Sequence, residues 1–221
     1  MESPAADNTA SLISYRRWSI QRGQRGLLRS DLAPVAIRRG RIDPSMTDSP
    51  PLPRDARSVV DWLIDGARTE HTPQDVLAEL CDRLVAGGLP LHRVAIFVRT
   101  LHPNVMGRRF LWRRGQAVQI SERPHAMLEE DTYLASPIAL VFRGQGTIRR
   151  RPIDPDCPND FRMIEELRSE RVTDYLIQPL VFSNGEIHAV SWTTTRSEGF
   201  AEKHIAALEA IVSPFARVAE I

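Results

Sequence analysis

The chain has 221 residues, of which 42% are hydrophobic and 26% charged, and its formal net charge at pH 7 is +1. This composition is typical of a soluble globular protein, and so small a net charge excludes a global attraction to nucleic acid or to a membrane surface. No apolar run approaches the ~20 residues that span a membrane. The two cysteines, Cys81 and Cys157, are too few for a disulfide scaffold, so we expect a cytoplasmic protein.

Residues 1–53 differ in composition from the rest of the chain. They contain eight arginines and five acidic residues but no helical or strand period. We interpret them as a disordered Arg-rich tail and residues 54–221 as one domain. Two alternatives remain, namely a basic arm for nucleic acid or an anionic surface at 22–26 and a basic interfacial segment at 12–28. A sharper form of the tail interpretation is that translation starts at Met46. The tail lacks the continuous apolar stretch of a secretory signal.

Two amphipathic helices are predicted at the start of the domain. The first begins at Asp55, a favourable N-cap, and continues to about residue 68. The second follows Thr72-Pro73-Gln74-Asp75, in which Thr caps the helix, Pro occupies the first turn and the acid lies near the positive end of the helix dipole. Gly87-Gly88 ends this helix. Cys81 lies beside its apolar face and is predicted to be a buried structural thiol.

The remaining pattern is mostly that of β-strands. A meander is predicted first, with strands at 93–101, 109–113 and 117–121. A helix at 161–171 then leads into a hairpin of strands 173–182 and 187–195, joined by an Asn184-Gly185 turn that supplies positive φ angles. Because the first hairpin strand is apolar on both faces, the hairpin should lie in the middle of the sheet. We expect an α+β fold, with helices on both faces of an antiparallel sheet of five or six strands.

A long connection at 122–158 separates the meander from the hairpin. Connections beyond about 12–15 residues in a compact domain are usually functional or disordered, and the aromatic residues of this one argue against disorder. Near its end, Arg149-Arg150-Arg151 is predicted to be a solvated edge strand. The connection is therefore the part of the domain in which a functional role is expected.

Motifs of several enzyme classes are absent from the sequence. The six histidines have no metal-ligand spacing. Gly144-Gln145-Gly146 lacks the third glycine and the following helix of a dinucleotide fingerprint, and there is no Walker-type loop. No pair of carboxylates lies in a context that would separate two pKa values. We therefore predict no catalytic residue, metal or cofactor in this chain, although an unknown small-molecule ligand is compatible with it.

Several blocks in the second half of the chain, and two before it, carry a family resemblance. They are Trp62 to Arg68, Leu101-His102-Pro103, Trp112 to Gly115, Glu166-Leu167-Arg168, Thr173-Asp174-Tyr175, Pro179-Leu180 with Phe182 and Gly185, Ser191 to Thr194, and Gly199-Phe200. In this order they resemble the GAF-like regulatory region that precedes the catalytic domain in a family of bacterial class III adenylate cyclases. The resemblance covers the chain from about Asp55 onward.

The resemblance implies a sensor without the catalyst. The metal-binding aspartates and purine-selecting residues of class III cyclases have no counterpart here, so the chain alone should not make cyclic AMP. We expect a regulatory module that acts on a cyclase catalytic domain, in cis or in trans. The alternatives are a small-molecule enzyme on the same fold, such as the free methionine sulfoxide reductases with their clustered cysteines, and a dimerisation scaffold that binds no ligand.

The resemblance also implies where a ligand would bind. In GAF-like domains the crossover at 122–158 covers one face of the sheet and closes a pocket, although its side chains can equally fill that space. Pocket candidates are polar or aromatic residues on the crossover or on the strands: Trp112, Tyr133, Ser136, Phe142, Thr173, Asp174, Tyr175 and Trp192. Asp174 has a competing role as a cap, and Tyr175 has one as a plain core residue.

A C-terminal helix is predicted at about 201–221. Leu208, Ile211, Phe215 and Val218 recur at heptad-like steps, which indicates either the seam of a homodimer or packing on the domain itself. Pro214 should kink the helix because it removes one backbone hydrogen bond. We expect the part before Pro214 to pack on the domain and the part after it to point toward a catalytic domain as the output element.

Overall fold

The computed structural model describes residues 54–67, 72–99, 105–124 and 131–220. The predicted tail at 1–53 lies outside these residues, as does Leu101-His102-Pro103. The described elements, in chain order, are α1 (Arg54–Ile64), α2 (Pro73–Ala86), β1 (Arg93–Arg99), β2 (Val105–Arg113), β3 (Gln119–Pro124), α3 (Asp131–Leu134), α4 (Pro137–Phe142), β4 (Ile148–Arg150), α5 (Met163–Ser169), β5 (Asp174–Val181), β6 (Ile187–Thr194) and α6 (Glu202–Ala219).

The strands form one antiparallel six-stranded sheet in the order β3-β2-β1-β6-β5-β4. The predicted hairpin is β5–β6 and lies inside the sheet, as its apolar faces require. Its turn is closed by a hydrogen bond from the Phe182 N–H to the Glu186 carbonyl, and Gly185 has a φ of 83°. The Arg149–Arg151 run begins in β4, which is an edge strand as predicted, but Arg149 and Arg150 are half-buried and paired with Asp174 and Asp160, so the prediction that they are solvated is wrong.

One face of the sheet is covered by α1, α2 and α6. Apolar residues from these helices and from alternate positions of the strands form a cluster that includes Leu77, Leu80, Leu208, Ile211 and Val190, each fully buried. Burying one such side chain contributes about 1.5–3 kcal/mol. The thiol of Cys81 also lies in this cluster, with no exposed surface, so the prediction of a structural thiol is confirmed.

The crossover and α5 cover the other face of the sheet. Here a second cluster joins Val141 of α4 and Ile164 and Leu167 of α5 to Tyr175 and Ile177 of β5. The sheet thus separates two hydrophobic layers, one made by the long terminal helices and one by short elements. Each layer leaves a cavity against the strands, and the one in the second layer, under the crossover, is at the location predicted for a ligand.

Local capping explains where α2 begins. Thr72 precedes it in an extended conformation, and its hydroxyl accepts a hydrogen bond of 3.2 Å from the Asp75 N–H. Pro73 occupies the first helical position, where a backbone N–H would have no acceptor within the helix, so the N–H that proline lacks is not needed. The prediction of this helix start is confirmed.

The C-terminal helix requires a correction. α6 runs continuously through Pro214, and the side chains of Leu208, Ile211 and Phe215 are fully buried against the domain, while Val218 is half-buried there. After Ala219, the Glu220 carboxylate accepts a hydrogen bond of 2.6 Å from the Ser183 N–H. The expectation that residues after Pro214 leave the domain is therefore wrong.

An apolar stripe that repeats about every 3.6 residues can pack either on a second copy of the helix or on its own domain, and this one packs on the sheet of its own domain. It is thus not available as a dimer seam. None of the helices in the described part of the chain is long and apolar enough to cross a membrane.

Candidate ligand-binding site

A cavity of about 290 Å³ lies between the sheet and the crossover. Its volume is close to the lower limit for small-molecule sites, about 300 Å³. The sheet provides its floor through β1, β2, β5 and β6, and α3, α4 and α5 provide its cover. This is the location that the resemblance implied for a pocket.

Strand alternation brings β1 side chains into the cavity. Successive residues of a strand point to opposite faces of the sheet. Val94 and Ile96 pack in the helix-side cluster, and the odd-numbered residues line the cavity: Arg93, Ala95, Phe97 and Arg99. On β2, Arg109 and Leu111 lie opposite Phe97 and Ala95 and line it as well.

The cover of the cavity is set by the cap of α4. Ser136 precedes Pro137 in an extended conformation, and its hydroxyl accepts a hydrogen bond of 3.2 Å from the Ala139 N–H. This cap fixes the start of a helix whose Ile138 and Phe142 face the cavity, next to Tyr133 of α3. Ser136 therefore lines the site mainly as the residue that positions α4.

Two hydroxyl groups lie in the floor. Tyr175 is 2% exposed and Ser191 is 6% exposed, and both line the cavity. Burial raises the pKa of Tyr175 well above its ordinary value, against the opposing effects of the nearby Arg93 charge and a hydrogen bond with Ser191. Both groups are therefore neutral at physiological pH and able to donate or accept a hydrogen bond.

Ion pairs close one end of the cavity. Arg93, at the start of β1, lies 2.9 Å from a Glu170 carboxylate oxygen and 3.5 Å from one of Glu166. Glu170 also pairs with Arg113 at 3.3 Å. Positive and negative charges balance at this end, which ties α5 to β1 and β2.

The other end of the cavity is basic. Arg99 ends β1, and its guanidinium carbon lies 5.6 Å from the centre of the Phe142 ring, within the range of a cation–π contact. No carboxylate of the described residues pairs with Arg99, whereas Arg108 pairs with Glu122 at 3.1 Å. Burial raises the pKa of Tyr133, which the charges of Arg99 and Arg143 partly offset.

Four of the eight predicted pocket residues line this cavity: Tyr133, Ser136, Phe142 and Tyr175. Their role in binding a ligand stays a prediction. Two others, Thr173 and Asp174, lie at the start of β5 and have structural partners instead. The Thr173 hydroxyl donates to the Thr194 carbonyl at 3.1 Å. Asp174 is fully buried and accepts hydrogen bonds from Arg149 at 2.6 and 3.1 Å and from the Phe200 N–H at 2.9 Å.

The placement of Trp112 and Trp192 in the pocket is wrong. Both lie opposite Val94 in the strand register and share its face, so they are buried in the helix-side cluster. The indole N–H of Trp192 donates to the Gln178 amide oxygen at 2.9 Å. Aromatic content alone did not distinguish the two faces of the sheet.

Several cavity residues were not among the predicted ones, above all Arg93, Phe97, Arg99 and Arg109. A signal for three of them exists, because residues 93, 97 and 99 share one face of a strand whose other face is apolar. Recognising it would have required knowing that the crossover covers that face.

The cysteines do not contribute to the cavity. Burial, and secondarily the charge of Asp82, raises the pKa of the Cys81 thiol. Cys157 is half-buried in the loop after β4, on the other side of the sheet from Cys81. Within 54–67, 72–99, 105–124 and 131–220, no three His, Cys, Asp or Glu side chains are grouped to hold a metal ion.

The six-stranded sheet, with long terminal helices on one face and a crossover over a cavity on the other, defines a GAF-like fold. Comparison with solved structures agrees. The GAF domain of a two-component sensor histidine kinase from Bacillus halodurans superposes with a TM-score of 0.50 at 16% identity, covering 68% of this chain and 95% of that one.

Two chromophore-bound domains are also similar. The phycocyanobilin-bound GAF domain of a cyanobacterial phytochrome matches with a TM-score of 0.51 at 14% identity, covering 73% of this chain and 91% of that one. The phycoerythrobilin-bound GAF domain of a cyanobacterial phytochrome matches at 0.50 and 16%, covering 75% and 94%. No protein-family model and no curated protein matches the sequence. These similarities show the fold, and the expected link to adenylate cyclases stays a proposal.

Proposed function

We propose that this chain is a regulatory sensor domain that binds a small molecule in the cavity under the crossover. The observation that supports the proposal is the cavity itself, which has an apolar floor, neutral hydroxyls from Tyr175 and Ser191, and a basic end at Arg99. A few polar groups in a concave, mostly apolar space are the usual composition of a small-molecule site.

We further propose that the output is a class III adenylate cyclase catalytic domain, in cis or in trans, and that the sensor acts as a homodimer. The sequence resemblance supports this part of the proposal. Because the stripe through Leu208 and Phe215 packs on the domain, we propose that two copies meet through the opposite side of α6, where Glu209, Ser213 and Arg217 are exposed.

Native mass spectrometry of the purified protein tests ligand binding. We expect a retained small molecule, and we expect Ile138→Trp, which adds an indole to the cover of the cavity, to release it. Val76→Trp, on the helix-side face, is the matched control and should retain the molecule. A retained molecule that Ile138→Trp does not affect would place the site elsewhere.

Light scattering tests the homodimer. We expect a wild-type dimer that Glu209→Arg weakens without lowering the melting temperature, because that side chain is exposed. A protein that stays monomeric at high concentration would contradict relay through paired helices.

Thiol chemistry of the methionine sulfoxide reductase kind receives no support from the positions of the cysteines. Cys81 is enclosed in the helix-side cluster and Cys157 lies in a loop, and neither lines the cavity. Turnover of free methionine sulfoxide should therefore be absent.

A further inference from the structure

We propose that the ligand of this cavity is a small anion with an apolar body, and that its anionic group lies beside Arg99. The inference rests on the proposed function, since it specifies the chemical class of ligand for the same site. It is based on the distribution of charge along β1, whose cavity-facing residues begin and end with an arginine.

The two arginines have different surroundings. They are six residues apart on one strand, which separates them by about 20 Å. At the first end, Glu170 and Glu166 neutralise Arg93 and its side chain is only 12% exposed. At the other end, no carboxylate of the described residues pairs with Arg99, so these residues leave its charge uncompensated.

The strand register leaves room beside Arg99. Its partner on β2 is Gly107, which also lines the cavity. A Cβ atom at Gly107 would lie 2.4 Å from the Val98 carbonyl oxygen, so the close approach of the two strands admits no side chain at this position. β2 therefore places no side chain directly opposite Arg99, whose own side chain lines the cavity and is exposed.

The groups around Arg99 are suited to an anion. A guanidinium donates two parallel hydrogen bonds to a carboxylate, sulfonate or phosphate. The phenol of Tyr133, close enough for the Arg99 charge to act on it, is neutral and offers a further donor. The backbone N–H of Arg99 is already bound to Nδ1 of His188 at 2.9 Å, which fixes the end of the strand.

The rest of the cavity requires an apolar body. Between the two charged ends, most of the floor and cover is apolar and comes from Ala95, Phe97, Leu111, Ile138 and Phe142, with the Arg109 side chain and the hydroxyls of Tyr175 and Ser191 beside them. An inorganic anion would leave this surface uncovered, whereas an aromatic or aliphatic acid would bury it. Both parts of the ligand are thus specified, one by Arg99 and one by the apolar stretch.

A matched pair of fluorescent probes tests the inference. The anionic probe is 8-anilino-1-naphthalenesulfonate, and its neutral counterpart is N-phenyl-1-naphthylamine, which has the same rings without the sulfonate. We expect the wild type to bind the anionic probe more tightly, and Arg99→Gln to weaken that binding about tenfold, as for the loss of a charge-assisted hydrogen bond. Arg99→Gln should leave the Kd of the neutral probe unchanged.

Two variants serve as controls. Arg108→Gln removes a cavity arginine that Glu122 already pairs, so it should change the Kd of the anionic probe less than about twofold. Ile138→Trp should abolish binding of both probes. An unchanged melting temperature for Arg99→Gln, whose side chain is exposed, excludes unfolding as the cause.

The outcomes separate the two proposals. If both probes bind in the cavity with equal affinity, or if Arg99→Gln affects them equally, the anion inference is overturned while the sensor proposal stands. If Ile138→Trp leaves both probes bound as in the wild type, the cavity holds neither and the anion inference is overturned, whereas the sensor proposal is overturned by a retained molecule that Ile138→Trp does not release.

Discussion

At the scale of single residues, Asp174 is a buried carboxylate that needs hydrogen-bond donors from several parts of the chain. It has no exposed surface and accepts hydrogen bonds from Arg149 and from the Phe200 N–H. Gly199 is equally constrained, because a Cβ atom there would lie 2.6 Å from the Asp174 carboxylate. These contacts join the edge strand β4, the start of β5 and the loop before α6.

Asp174→Ala should therefore lower the free energy of unfolding by about 3–5 kcal/mol, because it leaves Arg149 and a buried N–H without their acceptor. Urea unfolding measures the change. Glu198→Gln is the control, since it breaks only the exposed pair of Glu198 with Arg196 and should leave the free energy of unfolding nearly unchanged. Equal effects of the two substitutions would show that the buried contacts add nothing.

A pH dependence is predicted at His188. Its side chain is 1% exposed, and burial lowers its pKa below the ordinary value of 6.5, with Arg99 acting in the same direction and Glu186 and Glu220 opposing it. The unfolded chain thus binds a proton that the folded chain does not. The stability from this group is present above pH 6.5 and is lost as pH falls below that value toward the lowered pKa.

In His188→Gln, the glutamine side chain still offers an acceptor for the Arg99 N–H but does not titrate. The free energy of unfolding should therefore fall less steeply as the pH is lowered from 7.5 to 5. Urea unfolding across that range tests this. His92 and His204 also have lowered pKa values because of burial, so the variant should keep part of the slope. A slope identical to that of the wild type would contradict the assignment to His188.

At the scale of elements, α6 is an integral part of the core. Phe215 is 1% exposed and Ile211 is fully buried. We expect Phe215→Ala to lower the free energy of unfolding by about 3–5 kcal/mol. Ile211→Glu should unfold the domain, because it buries an unpaired charge.

Ser213→Ala, on the exposed side of the same helix, should be close to neutral. Circular dichroism and light scattering together distinguish the possibilities. Variants that dissociate a dimer while staying folded would restore the interpretation of the stripe as a dimer seam.

The elements also show what a sequence can predict. α2 and the β5–β6 hairpin follow from local chemistry, a Thr-Pro cap and an Asn-Gly turn, and both were predicted correctly. β2 extends further back than predicted, from Val105 rather than residue 109, because its irregular pairing near Gly107 depends on the neighbouring strand. The cavity was only half predicted, since the residues that face it are decided by register and by the face that the crossover covers.

At the scale of the molecule, the described hydrophobic clusters begin at Ala56. Deleting residues 1–53 should therefore leave the melting temperature of the domain unchanged within error. Differential scanning fluorimetry of the shortened and full chains measures this. A drop of many degrees would show that the deleted residues pack on the domain.

The strand order has a consequence for the timing of biosynthesis. β1 lies between β2 and β6, and Arg93 pairs with Thr193. Two neighbouring strands of the cavity floor therefore come from segments about 100 residues apart. A ribosome that has released β1 and β2 has not yet made the strand that completes the floor. Because distant pairings form late, the growing chain has no cavity until β6 leaves the exit tunnel. The ligand proposed for this site would therefore bind finished domains and not nascent ones.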